Sequence, residues 1–379
     1  MRILFVCENY LPHLGGAEVV FKNLAEGFVR LGHQVDLVTH RMKGTRSFEV
    51  INGVRVHRVW SGGSRYVFSF TAILLVWRLA RLADVIQTTT FNGAPPAWLA
   101  GRICGKKVVL TVHEVWVGKW RKVTTLGRFS GVVHDLLERM IYMLPFDCYV
   151  CVSDATKKDV LALGVRRSKV VRVYNGFDYA FWKGRTFSGA DVRLQHGLKG
   201  KFVYFCWGRP GPSKGFEYAL GAVPLISKLI PNSHLMLMLG SKEKYPVEFK
   251  KLVEIISRLG ISDKVTVVPS VPYLELGHYI MAADCVVVPS LSEGFGYAAL
   301  EAGVLGKPVV ASNVASLPEV VSGKYVLVRV RDPSAIASGV EMVYIKKYST
   351  LPAKKFLWST AMERYLKVYS EVLGKEKKY

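Results

Sequence analysis

The sequence predicts an α/β protein of two domains of similar size, on three observations. Short apolar runs rich in β-branched residues alternate with segments of helical period along most of the chain. The alternation lapses once, between Tyr174 and Lys201, and then resumes. Glycine-bearing turns stand at the ends of the apolar runs, where open parallel sheets hold their ligands. The length agrees: 379 residues, half of them hydrophobic, is long for one domain and comfortable for two.

In the first half, residues 2–7, 34–39, 54–59, 85–88, 107–112, 148–152 and 170–173 read as strands. Residues 17–31, 70–82, 94–101, 132–144 and 154–163 read as helices. In the segment 132–144 apolar residues recur at 133, 136, 137, 140, 141 and 144, the spacing of one helix face. Strands alternating with helices imply a parallel sheet covered on both faces. In the second half the strands fall at 202–207, 234–239, 265–268, 285–289, 308–311 and 325–328. Helices fall at 216–230, 247–259, 297–305 and, long and amphipathic, at 355–373. The expected division is a first domain over 1–178, a linker over 179–200, a second domain over 201–352 and a final helix over 353–379.

The stretch 290–306, SLSEGFGYAALEAGVLG, carries the most chemistry. It joins a strand to a helix through a turn holding Gly294, Phe295 and Gly296. Backbone N–H groups and a positive dipole end are aimed at an anion there. Glu293 in the turn and Glu301 in the helix are poor phosphate ligands and suit neutral hydroxyls. A phosphate flanked by sugar hydroxyls describes a nucleotide sugar. Gly208-Arg209-Pro210-Gly211-Pro212-Ser213-Lys214-Gly215 follows another strand and holds two cations on a loop stiffened by proline, which suits a diphosphate. Two solvated cations on a basic protein would have the same spelling. The G-x-x-x-x-G-K-[ST] order is absent, so this is no Walker A loop. Gly15-Gly16-Ala17-Glu18 opens the first helix and lets backbone approach a diphosphate or an acceptor, but it lacks the dinucleotide fingerprint G-x-G-x-x-G. His113, followed by Glu114, closes the strand 107–112, a place that serves packing as readily as chemistry.

Glu293 and Glu301, seven residues apart with Gly-Phe-Gly after the first, resemble the signature of the retaining glycosyltransferases of family 4. The 208–215 loop resembles that family's Gly-Arg…Lys-Gly motif, Gly15-Gly16 its first glycine loop, and His113-Glu114 its His-Asp pair with Glu for Asp. Asn175-Gly176-Phe177-Asp178 is similar to its Asn-Gly-x-Asp turn, and the last helix, with Trp358, Tyr365 and Tyr369, to its closing segment. The resemblance implies the GT-B fold, two Rossmann-like domains facing across a cleft, with the last helix crossing back to the acceptor-binding N-terminal domain. It also implies transfer of a hexose with retention from a nucleoside diphosphate sugar such as GDP-mannose or UDP-glucose. His113, Arg209, Lys214 and Glu293 would carry catalysis. Gly15, Gly16, Arg209, Lys214, Gly294, Phe295, Gly296 and Glu301 would bind the donor, Glu301 through its ribose. No Asp-x-Asp pair stands at a strand end, so no metal and no other cofactor is expected. A nucleotide-sugar 2-epimerase of the same fold, and a transferase to a soluble acceptor, are the alternatives.

The net charge, +23 from 52 Lys and Arg against 29 Asp and Glu, points to a polyanionic partner. The acid-free run 115–130, VWVGKWRKVTTLGRFS, interleaves Lys119, Arg121, Lys122 and Arg128 with Trp116, Trp120 and Phe129. That composition fits an anionic membrane, a single-stranded nucleic acid or an ordinary exposed loop. The expectation is peripheral binding to the inner face of the cell membrane, a lipid or lipid-linked glycan acceptor and no nucleic acid. No segment reads as a signal peptide, and residues 66–77 are too few to span a bilayer. Cys7, Cys148, Cys151, Cys206 and Cys285 lie in strand-like runs and read as buried thiols; Cys148-x-x-Cys151 has metal spacing without a second ligand pair.

Overall fold

The computed structural model describes residues 1–13, 15–125, 127–240 and 242–374. The chain divides into two compact units, Met1–Val117 with Val133–Phe177 and Phe356–Tyr379, and Gly118–Val132 with Asp178–Lys355.

In the first unit the strands are β1 (Arg2–Val6), β2 (Gln34–His40), β3 (Phe48–Ile51), β4 (Val54–Val59), β5 (Val85–Thr89), β6 (Lys107–Val112), β7 (Cys148–Cys151) and β8 (Val170–Arg172). Among the described residues they form one sheet in the order β3-β4-β2-β1-β5-β6-β7-β8. All pairs are parallel except the edge pair β3–β4. The strand order reverses between β1 and β5, which places the Gly15 loop and the β5 loop at a switch point. Helices cover both faces, as the all-buried runs of β5 and β7 require.

The second unit repeats the plan. Its strands are β9 (Phe202–Gly208), β10 (Ser233–Leu239), β11 (Val265–Pro269), β12 (Cys285–Val288), β13 (Val309–Ser312), β14 (Gly323–Val328) and β15 (Ser349–Leu351). Among the described residues their order is β11-β10-β9-β12-β13-β14-β15, all pairs parallel except β14–β15. Here the reversal falls between β9 and β12, the two strands that feed the 208–215 and 289–296 loops.

Helix Trp358–Val372 belongs to the first unit. Its residues Ala361, Tyr365, Leu366, Val368 and Tyr369 join the core of Phe5, Phe21 and Phe28. A side chain at Gly27 would collide with Met362, so glycine there admits the helix. The Tyr369 hydroxyl donates to Gln87 Oε1 (2.9 Å), and the Tyr365 hydroxyl meets Thr111 Oγ1 (2.8 Å). The Asn175–Asp178 turn is tied to the approach of this helix: Phe177 N donates to the Phe356 carbonyl (2.8 Å), and Gly176 lies against Trp358 with no room for a Cβ.

Several expectations change, among them the helix read at 70–82, which is two helices, Arg65–Thr71 and Ile73–Ala80. Residues 179–200, read as a linker, hold helices Tyr179–Lys183 and Ala190–Gln195 and pack into the second unit. Trp182 is buried, Gly189 lies on the backbone of Ala282, and Arg193 pairs with Asp284 (2.7 Å). The Pro333–Tyr344 helix, capped by Asp332 through Ala335 N (3.0 Å), was missed although Asp-Pro is a helix-start signal. The helix read at 132–144 spans Arg128–Met143 and turns its apolar positions 133, 136, 137 and 140 to solvent.

The docking of the last helix yields a stability prediction. Tyr369→Phe leaves the buried Gln87 carbonyl short of a donor and should cost about 1–3 kcal/mol. Tyr369→Ala also opens a cavity and should cost about 3–5 kcal/mol. The shift of the urea midpoint measures both; equal effects of the two would contradict this packing.

Candidate functional site

The site of the second unit forms where the loops after β9 and β12 meet. Gly215 adopts φ +63°, and a Cβ there would stand 2.2 Å from the Pro289 carbonyl oxygen. Only glycine meets both demands. Leu291 N donates to the Ser213 carbonyl (2.7 Å), which ties the loops backbone to backbone. Across this seam Lys214 Nζ donates to Glu293 Oε1 at 2.5 Å, and the Ser290 hydroxyl donates to the same oxygen at 2.9 Å. The Ser316 hydroxyl fixes the Glu293 carbonyl (2.9 Å). Trp207, Phe216, Val288, Pro289 and Ala298 line the recess around this pair.

Gly294, Phe295 and Gly296 lead into helix Tyr297–Val304. Gly296 takes φ +96° and, as the N-cap, offers no side chain to the first turn. Phe295 is buried with its ring against Tyr297 (5.1 Å). Glu301 projects from this helix at 5% exposure. Burial pushes its carboxyl up to about 7, against hydrogen bonds from Tyr273 and Trp207 and the charge of Lys214, which favour the ionised form; Glu293 adds to the rise. The Tyr273 hydroxyl donates to Glu301 Oε1 (2.9 Å) and accepts from Trp182 Nε1 (3.1 Å). Lys214, Glu293 and Glu301 are thus brought together. Arg209 is exposed on the same loop as Lys214.

The remaining predicted residues lie in the first unit. Gly15 and Gly16 begin helix Gly16–Arg30, and the Glu18 carboxylate folds back over Gly15 and pairs with His13 (3.5 Å). His113 follows β6. Its carbonyl accepts from Thr156 Oγ1 (3.4 Å), its ring meets Phe21 edge-on (5.8 Å), and its buried Nε2 has no partner among the described residues. Burial lowers the imidazole to about 4, so it is neutral at pH 7. At the β1–β5 switch point Asn92 Nδ2 donates to Glu8 Oε2 (2.6 Å). Cys148 and Cys151 are buried thiols, each pushed up to about 12 by burial.

The run 115–130 differs from its reading. Residues from Gly118 group with the second unit, Trp120 is 8% exposed, and Trp116 is half-buried, so the tryptophans turn inward. The side chain of Lys122 and all of Leu126 lie outside the described residues. Sequence reasoning missed Tyr273, Trp207 and Ser290. Ser290 stands three residues before Glu293 and could have been found; nothing in the spacing of Tyr273 or Trp207 marks them.

A buried carboxyl raised to about 7 makes stability depend on pH. The folded state binds the Glu301 proton more tightly than the unfolded chain. The stability this contributes is full below the unfolded value of about 4 and is lost as pH rises through about 7. Glu301→Gln should therefore stabilise the protein at pH 8 by on the order of 1–3 kcal/mol and by much less at pH 5. Melting curves at the two pH values test this; an equal effect at both would remove the buried-charge assignment.

The chain is similar to known proteins along nearly its whole length. The family model described as Glycosyltransferase Family 4 matches residues 14–181, and that described as Glycosyl transferases group 1 matches residues 191–351. An uncharacterized glycosyltransferase of Methanocaldococcus jannaschii is 29% identical over 413 residues, covering 99% of this chain and all of the relative. A phosphatidylinositol N-acetylglucosaminyltransferase component of Arabidopsis thaliana is 24% identical over 400 residues, covering 98% of this chain and 82% of the relative. Among solved structures, Anabaena HepE in complex with UDP-glucose superposes with a TM-score of 0.72 at 18% identity, over 98% of this chain and all of that one. With both models matched in order along one chain, the protein belongs to the family 4 glycosyltransferases and has their GT-B architecture.

Proposed function

We propose that this glycosyltransferase moves a hexose from a nucleoside diphosphate sugar, GDP-mannose or a UDP-hexose such as UDP-glucose, to a lipid or lipid-linked glycan, with retention at the anomeric carbon. The observation that carries the donor assignment is the Lys214–Glu293 pair set beside the buried Glu301 at the β9–β12 switch point. A diphosphate takes Lys214 and the exposed Arg209, releasing Glu293 to a sugar hydroxyl. Glu301 accepts from the ribose. The N-terminus of helix Tyr297–Val304 follows the same loop and adds positive potential. Retention follows from same-face attack, with the leaving diphosphate taking the acceptor's proton. Arg209, Lys214 and backbone N–H groups meet the charge that grows on it, and the reading requires no metal.

The likeness to a structure holding UDP-glucose supports this class of donor, and a relative named for phosphatidylinositol supports a lipid acceptor. The +23 charge supports work on an anionic membrane surface, proposed to be the inner face of the cell membrane. No described helix is long and apolar enough to cross a membrane.

Lys214→Ala and Arg209→Ala should each lower turnover by roughly 10²–10³-fold, with smaller effects on donor affinity. Turnover should persist after treatment with a chelator. Near-native turnover of either variant would remove that residue from the diphosphate assignment, and loss of turnover on chelation would contradict the metal-free reading.

Glu301→Ala should weaken nucleoside diphosphate binding by about 1–3 kcal/mol in calorimetry. Because an ionised carboxylate is the better acceptor, wild-type affinity should fall as pH drops through about 7. Tyr273→Phe removes a donor that favours ionisation, so the midpoint should move to higher pH, with affinity restored at alkaline pH. A loss equal at every pH would give Tyr273 a packing role only.

A further inference from the structure

Helix Arg128–Met143 is amphipathic with its apolar side outward. Phe129, Val132, Val133, Leu136, Leu137, Met140 and Met143 recur at helical spacing and are solvent-exposed, Phe129 at 84%, Leu136 at 59% and Met143 at 80%. The inward side instead holds Gly131, Ile141, Tyr142 and the carboxylate of Glu138, which accepts from Trp116 N (3.0 Å). Beside it lies helix Arg65–Thr71, joined by the Tyr66 hydroxyl to His134 Nε2 (2.7 Å). Val67 and Phe70 of that helix, and Leu74 of the Ile73–Ala80 helix that follows, are exposed too, Phe70 at 74%. An exposed apolar stripe along a whole helix, with further exposed apolar side chains on a helix hydrogen-bonded to it, marks an interaction site.

Its charges select the occupant. Arg65, Arg78, Arg81, Arg128 and Arg139 are exposed on or next to these helices. Their two carboxylates are Glu138, which is buried, and Asp135, which pairs with Arg139 (2.8 Å). A second copy applied through the same face would bring arginines against arginines in a protein already at +23. An anionic bilayer takes apolar side chains below the headgroups and arginines among them.

We infer that the outward face of the Arg128–Met143 helix, with Phe70 and Leu74 beside it, docks on an anionic lipid bilayer. This deepens the membrane reading above and rests on it, and it moves the contact from the inward-turned tryptophans of 115–130 to an exposed helix face. Phe129 and Val132 extend the same stripe toward the start of the helix.

The test is co-sedimentation with phosphatidylcholine vesicles containing phosphatidylglycerol. The variant Leu136→Ser, Leu137→Ser, Met140→Ser changes only exposed positions and should keep the wild-type melting temperature and UDP-glucose or GDP-mannose affinity. Its vesicle affinity should fall more than about tenfold. A second variant, Lys119→Ala with Arg121→Ala, should lose far less. Vesicle binding by the serine variant equal to wild type would overturn the inference, and loss confined to the Lys119 and Arg121 variant would return the contact to the loop. A wild type that does not sediment would overturn it as well, with donor affinity reporting separately on the transferase reading. In sedimentation velocity without lipid, a dimer that the serine variant dissociates would assign the face to a second copy and overturn it.

Discussion

The meeting of two loops at the β9–β12 switch point is the constraint on which the proposed donor site depends. The chain leaves β9 and β12 side by side, and Gly215 lets the first loop pass over the Pro289 carbonyl without a side chain between them. That approach puts Lys214 within 2.5 Å of Glu293. A partly buried ion pair of this kind is weak support for stability, since taking both charges out of water offsets most of their attraction. Its value is positional: each ion fixes the other, and Ser290 and Ser316 fix the Glu293 segment. In the proposed reading, an incoming diphosphate would exchange one anion for another at Lys214 while the cation stays paired.

Glu301 carries a cost to folding. A carboxylate at 5% exposure opposes folding when ionised, and only the donors from Tyr273 and Trp207 and the nearby Lys214 hold its proton affinity near neutrality. Trp182, in a segment without regular rhythm in the sequence, supports Tyr273 in turn. The residues of 179–200 therefore do more than join two domains: they carry an indole that orients a hydroxyl that orients a carboxylate.

The alternation of strands and helices, the strand-end glycine turns and the two glutamates were legible in the sequence because each is a local pattern. Tyr273 was not, because its partner lies 28 residues away and the two meet only through the sheet order. The helix at 128–143 is the sharpest case. Apolar spacing identified an amphipathic helix but not which side faces the core. Glu138, a polar residue by any scale, faces inward because Trp116 N gives it a donor, and the leucines face out. The tryptophans of 115–130 failed in the opposite direction: their composition suited a membrane, but their side chains turn inward.

The most direct test of the donor site is an experimental structure of the protein with an intact nucleoside diphosphate sugar, UDP-glucose or GDP-mannose. The expected result is Lys214 Nζ within about 3 Å of a diphosphate oxygen, Glu293 turned from Lys214 to a sugar hydroxyl, and Glu301 accepting from the ribose. A diphosphate bound elsewhere, with the Lys214–Glu293 pair intact, would contradict the assignment.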